Sequence, residues 1–410
     1  MGKYLHLFDT VSAYTEAREN DYLEPWVSLT KSNNEVNYNK SEREKLKNVP
    51  LTFEILSTGA INWAFEGENQ SHAKTIEYKK NDGEWTSITS TQGGTQINVV
   101  SGDTVQFRGD NLYYAALDGL NLSWANMFYG TTCQFNVKGN IMSLIDSDGF
   151  ETLDTLTCAE TFAALFMMYT GLTSAENLIL PATTLTESCY NYMFYGCTSL
   201  TTSPELPATT LADYCYMNMF YQCQNLTTAP ELPATTLADG CYMYMFIMCT
   251  SLTTAPELPA MTLAAGCYYG MFGGCTSLTT APALPATALT STCYNGMFEG
   301  CTSLTTAPEL PATTLADSCY SSMFASCTSL TTAPELPATT LVSSCYYGMF
   351  DGCTNLNYIK AMFTTTPGGQ YTSIWVDGVS STGTFVKNSA AQWDVTGHDG
   401  IPAGWTVETA

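Results

Sequence analysis

Apolar residues in the second half of the chain recur with a period far longer than that of a helix or a strand. The hexapeptide LPATTL that begins at Leu180 returns at Leu206, Leu232, Leu258, Leu284, Leu310 and Leu336, seven copies 26 residues apart. One unit reads LPATTLADYCYMNMFYQCQNLTTAPE, from Leu206 to Glu231. Each unit carries Cys-Tyr, then Met-Phe, then a second Cys and a Leu three residues later. Such a period with recurring Leu predicts a stacked solenoid, in which every unit buries its apolar side against its neighbours. Residues 152–177 read as a degenerate preceding turn, with Tyr169 in register with Tyr195 but Gly171 in place of the second Cys. An atypical end unit is what a cap requires.

Within a unit, the stretch from Tyr216 to Cys223 is rich in Met, Phe and Tyr and free of Pro, which predicts a short helix. The run LTTAPELPATTL holds two prolines three residues apart. Helix is barred there and a sheet ladder loses donors, so one or two short strands or extended segments are expected. Turns stacked ~4.8 Å apart would give a rod on the order of 35 Å long.

The pattern before the repeats has a different period. Ile76 and Tyr78 alternate with Glu77 and Lys79, Asn81-Asp82-Gly83 supplies a turn, and Ile97/Val99 and Val105/Phe107 alternate on either side of Ser101-Gly102-Asp103. Four to six short strands of this kind predict a small Ig-like β-sandwich. Residues 111–131, NLYYAALDGLNLSWANMFYGT, interrupt it with an aromatic-rich stretch that reads either as an interface or as a cap over the first repeat. After Asn357, Trp375, Trp393 and Trp405 with Gly-rich turns predict a C-terminal cap. The expected organisation is α+β: an N-terminal attachment segment (1–48), the β-sandwich (49–140), the solenoid with a short helix per turn (141–357) and the cap (358–410).

Composition narrows the function. The 410 residues carry 14 Lys+Arg against 38 Asp+Glu, a formal charge of −24, with 45% hydrophobic and only 13% charged residues. Disorder is excluded by the apolar content. Binding of nucleic acid through phosphate neutralisation is excluded by the lack of a basic face. No apolar run approaches a membrane span, and the first thirty residues hold no signal-peptide core, so a chain made in the cytoplasm without membrane insertion is expected. Between Gly139 and Ile359 there is no Lys or Arg, against 17 acidic residues. Glu205, Glu231, Glu257, Glu309 and Glu335 occupy one repeat position, broken by Ala283, and would form a column. It reads as a solvated edge that blocks sticking; a calcium stripe would need further oxygen ligands at fixed offsets. Asp146-Ser147-Asp148-Gly149 reads as a turn into the repeats rather than a calcium loop, whose later ligands it lacks.

Fourteen of the 16 cysteines fill two repeat positions, eight residues apart in each unit. Neither zinc-site spacing nor a nearby His accompanies them, so no metal and no cofactor is expected. They read as small apolar residues filling equivalent core sites, with disulfides between successive turns as the alternative. The repeated Phe is expected in the core, and the Tyr after the first Cys is expected to straddle core and surface.

The unit, with Met219-Phe220, Gln222-Cys223 and Gly196-Cys197-Thr198-Ser199-Leu200, resembles the BspA-like leucine-rich repeats of 26 residues found in bacterial surface proteins. The resemblance covers about residues 152–357 and implies an adhesin or binding scaffold of gut and oral anaerobes, or of the phages that infect them, with no catalytic repeat position. The run PWVSLTKSNNEVNYNK near the N-terminus resembles leader segments joined to structural proteins of gut-bacterial phages. The resulting expectation is a non-enzymatic virion component that meets other virion proteins through residues 1–48 and a protein or glycan receptor through the repeats. A bacterial cell-surface adhesin is the alternative, and a glycan depolymerase a third reading. The three histidines, His6, His72 and His398, all lie outside the repeats, away from any repeat Cys that could act as a nucleophile. Between near-identical units, the residues flanking Met-Phe vary most. Tyr192, Tyr195, Tyr221, Tyr244 and Ile247 among them are the candidate binding surface, with unselected surface positions as the alternative.

Overall fold

The alternating apolar positions before the repeats do form strands. The computed structural model describes residues 43–130 and 133–410, so most of the expected attachment segment, 1–48, lies outside the described residues. Nine strands precede the repeats: β1 (Leu51–Ile55), β2 (Gly59–Glu66), β3 (Thr75–Lys80), β4 (Thr86–Thr89), β5 (Thr95–Val99), β6 (Thr104–Arg108), β7 (Ala115–Asp118), β8 (Asn121–Tyr129) and β9 (Phe135–Asn140). With β10 (Leu172–Ile179) they make a six-stranded sheet of order β10-β9-β1-β6-β3-β4 and a four-stranded sheet of order β5-β2-β8-β7. Asn81 takes a positive φ of 51° at the β3–β4 turn, as its Asn-Asp-Gly sequence requires. The two sheets meet through aromatic rings, Phe53 of β1 lying 4.8 Å from Phe128 of β8 and Phe107 of β6 4.7 Å from the same ring. Asp146-Ser147-Asp148-Gly149 is a turn, in which Asp146 Oδ1 accepts from the backbone N–H of Asp148 and of Gly149.

The 26-residue units lie side by side in register. The expected helix between the two cysteines does not form. In its place stands a run of successive turns in which alternate N–H groups have different fates. Met217, Met219, Tyr221 and Cys223 donate to the carbonyl three residues back, while Tyr216, Asn218, Phe220 and Gln222 donate to carbonyls of the next unit. Every fourth residue is left-handed: Ser188, Tyr192 and Gly196 in one unit, Tyr214, Asn218 and Gln222 in the next, Gly266, Gly270 and Gly274 further on. An α-helix would keep all its donors to itself and forbid these positive φ values. Only a neighbour with the same spacing can accept the alternate donors, so the repetition itself selects this conformation. The fold class is therefore mostly β and turn with little helix, rather than the α+β expected. The extended LTTAPELPATTL segments also pair less than expected. They touch through single bridges such as Ser174↔Thr202↔Thr228↔Thr254, because their prolines offer no donor to a longer ladder.

Two ladders of rings run through the stack. Phe166, Phe194, Phe220 and Phe246 are stacked at 5.4, 5.4 and 5.6 Å, and the series goes on to Phe350. Beside it Tyr190, Tyr216, Tyr242 and Tyr268 stack at 5.7, 5.9 and 5.8 Å, continuing to Tyr346. These tyrosines are buried throughout rather than straddling the surface, because the turns pack too closely to let a ring lean outward. Both ladders begin in the N-terminal sheets, at Phe128 against Phe166 and at Tyr114 against Phe162, and both end on Trp375. One apolar core thus runs from β1 to the last coils. There, β11 (Tyr358–Ala361), β12 (Thr384–Lys387) and β13 (Thr406–Thr409) form a parallel sheet that continues the stack.

All 14 repeat cysteines are buried free thiols. The second in each unit is more than apolar filling: Cys223 Sγ donates to Phe194 O at 3.1 Å, Cys249 to Phe220 O at 3.0 Å and Cys275 to Phe246 O at 3.1 Å. Burial pushes the thiols up, Cys189 and Cys197 to about 12 and Cys345 to about 11. Neutral in the fold and ionisable once unfolded, each thiol stabilises below its ordinary value near 8.5 and loses that contribution as pH rises toward its folded value.

Three outcomes are expected. Removing a mid-ladder ring, Phe272→Ala, lowers stability by about 3–5 kcal/mol in a single cooperative urea transition. The melting temperature falls progressively above about pH 8.5, each thiol costing up to about 1.4 kcal/mol per pH unit. Iodoacetamide at pH 8 modifies the partly exposed Cys158 first in the native chain, whereas mass spectrometry finds all 16 cysteines modified in denaturant.

Candidate binding surface

The turns between the two cysteines set where each variable side chain points. In this run of turns, the residue just before Met-Phe is always the left-handed one: Tyr192, Asn218, Tyr244, Gly270, Gly296, Ser322 and Gly348. Its variability is therefore not free, since a positive φ favours Gly and tolerates Asn. Tyr192 and Tyr244 hold φ of 58° and 57°, which costs a bulky residue roughly 1 kcal/mol or more each. Neighbouring units adjust to such a ring. A Cβ built on Gly270 would stand 2.5 Å from the ring of Tyr244, and one on Gly240 2.5 Å from that of Tyr214. Tyr244 and Tyr214 thus each sit directly over a glycine of the next unit.

The structure brings all five candidate residues together. Tyr192, Tyr195, Tyr221, Tyr244 and Ile247 line one open groove of about 620 Å³, with Met167, Met217 and Asn218 from the coils and Asn121 and Leu122 from β8. Tyr195 and Tyr221 stack at 4.8 Å, and Tyr192 meets Tyr195 edge-on at 5.7 Å. The hydroxyl of Tyr192 donates to Leu120 O at 3.2 Å, tying the β7–β8 hairpin to the first full repeat. Burial raises the hydroxyl pKa values of Tyr192, Tyr195 and Tyr244, so all three stay protonated donors. The Asn218 side chain is 4% exposed and makes no hydrogen bond within the described residues. No lining residue carries a charge.

Of the aromatic stretch, residues 111–130 serve as a cap that also supplies one wall of the groove. Ala115, Ala125 and Met127 pack on Ala163 and Ala164, while Tyr114 and Phe128 donate backbone N–H to Thr161 O and Leu165 O. Sequence reasoning missed Asn121 and Leu122 because they reach the repeats only through the hairpin. A turn signal, Asp118-Gly119, marks that hairpin.

The glutamate column is present, and its ends are neutralised from the flanks. Arg43 lies 3.0 Å from Glu205 and Lys360 3.0 Å from Glu335. Burial, and then the adjacent Glu205 and Glu257, push the Glu231 carboxyl up. Among the described residues no group of three or more His, Cys, Asp or Glu side chains gathers to hold a metal ion. His72 stacks on Trp124 at 4.8 Å, and His398 Nε2 lies 3.3 Å from Asp399, at the other end of the repeats.

Backbone strain at Tyr244 has a measurable consequence. Tyr244→Gly is expected to leave stability unchanged or raise it by up to about 1 kcal/mol, whereas Tyr244→Val lowers it by about 1–2 kcal/mol. Urea midpoints of the two variants check this.

No helix among the described residues is long and apolar enough to cross a membrane. No curated protein and no solved structure matches the chain. A family model described as a BspA type leucine-rich repeat region matches six copies, over residues 166–280 and 241–372, together just over half of the sequence. The units it matches are those whose Phe, Tyr and Cys columns build the stack, and the chain belongs to the BspA-type leucine-rich-repeat family.

Proposed function

We propose that the chain is a non-enzymatic recognition protein, in which an Ig-like β-sandwich seats a leucine-rich-repeat solenoid and the tyrosine groove engages a receptor on a cell surface. The observation that carries this reading is the display of Tyr192 and Tyr244 at left-handed positions. Strain of that kind is retained where the displayed group is used. Membership of a family of surface-binding repeats supports it. Of the groups that do acid–base or nucleophilic work, the lining of the groove offers only tyrosine hydroxyls, and burial keeps those of Tyr192, Tyr195 and Tyr244 protonated.

In its most specific form, the proposal places the protein on a phage particle, held through residues 1–48 with the repeats outward. The support is the leader-like run PWVSLTKSNNEVNYNK. Antibody labelling of purified particles and of intact cells separates this from display on a bacterial surface, gold on particles being the expected result.

The recognition role is tested with fluorescently labelled protein on a panel of gut and oral bacteria. Tyr221→Ser combined with Tyr244→Ser is expected to weaken binding at least tenfold while the melting temperature moves by only a few degrees. Binding that survives both substitutions removes the groove from consideration.

A further inference from the structure

The chemistry of the groove narrows what it can hold. Its volume of about 620 Å³ falls within the range of small-ligand sites, roughly 300–1,000 Å³, and the groove is open along one side. Its lining is uncharged in a chain of net charge −24. Glu299 stands two units beyond Ile247 in the same row, with Asp351 further along; burial, and then Asp351, push the Glu299 carboxyl up. An anionic ligand would approach against that field. A purely apolar ligand would cover Asn218, whose carboxamide has no partner among the described residues, and leave its donor and acceptor unmade. An uncharged ligand with apolar faces and hydroxyl edges meets both constraints.

Resting on the reading of the groove as the recognition site, we infer that its ligand is a neutral glycan chain. Sugar rings lie with their C–H faces along the wall that Tyr195 and Tyr221 form, where the mutually stacked rings present apolar edges and polar hydroxyl tips together. The carboxamides of Asn218 and Asn121, each both donor and acceptor, take pairs of neighbouring hydroxyls. Tyr192 is committed to Leu120 O and fixes the hairpin that carries Asn121, so the site is formed before the ligand arrives.

The experiment is a printed array of neutral oligosaccharides (β-glucans, α-mannans, galactans and xylans) with sialylated and sulfated glycans beside them, followed by calorimetry on the strongest hit. Two variants accompany the wild type. Asn218→Gly suits the left-handed backbone and removes the side chain with its amide, and Tyr221→Ser removes a ring. Expected are binding to neutral glycans, affinity that changes less than twofold between 50 and 500 mM salt and between pH 5 and 9, and at least a tenfold loss in each variant. Binding confined to the anionic glycans, or falling steeply with salt, overturns the inference. So does the absence of any glycan hit; if Tyr221→Ser still abolishes cell binding in that case, the recognition reading stands and its ligand is not a sugar. Neutral glycans bound equally well by both variants place the site elsewhere and overturn both readings together.

Discussion

Half of the backbone donors between the two cysteines of each unit have no acceptor within that unit. Buried N–H groups must be paired, so a unit acquires its conformation only against a neighbour in register, at a separation of one repeat. Everything else follows from that demand. It sets the alternation of inward and onward hydrogen bonds, fixes a left-handed residue at every fourth position, and brings equivalent rings and thiols face to face. It also explains why the ends are built as they are. At the start, the β7–β8 hairpin and strand β9 meet the first incomplete coil. At the finish, the outward N–H groups of Ile374 and Val376 are taken by the Asp399 carboxylate and the His398 carbonyl.

The same demand makes the N-terminal sheets part of the stack. Phe53 contacts Phe166 of the first coil as well as Phe107, Phe128 and Phe135 of its own sheets. An independent bead on a tether would close its core with its own residues; this one shares it. The groove arises at that junction, where one wall is hairpin and the other is coil, and its shape depends on both sides keeping their place.

The repeat and its family were legible because the sequence states the period directly. The columns of Phe and Cys could be assigned to the core for the same reason. The local conformation was not legible in the way it was read. Met, Phe and Tyr between Tyr216 and Cys223 carry the apolar density of a short helix, and one unit alone gives no reason to think otherwise. The contrary signal lies across units, in Gly266, Gly270 and Gly274 at a spacing of four, where a helix would place them at a cost. The tyrosine hydroxyls suggest a surface position, yet those of Tyr190 and Tyr242 are buried without a partner among the described residues while their rings stack in the ladder. The role of the second cysteine as a donor to the preceding unit's Phe carbonyl has no local signature at all. The five groove residues were found from variability, yet part of that variability reflects backbone geometry rather than a free surface.

The seating of Tyr214 over Gly240 and of Tyr244 over Gly270 bears on how such a chain can grow. A unit with glycine at the left-handed site can be copied next to itself without penalty. One bearing tyrosine cannot, unless its ring is drawn aside as Tyr192 is drawn to the hairpin, because the copy's own Cβ would enter the ring below it. Duplication in this array thus meets a steric condition at each left-handed position: a unit with glycine there can be repeated, while one with tyrosine is followed by a smaller residue at that position, Asn218 after Tyr192, Gly240 after Tyr214 and Gly270 after Tyr244.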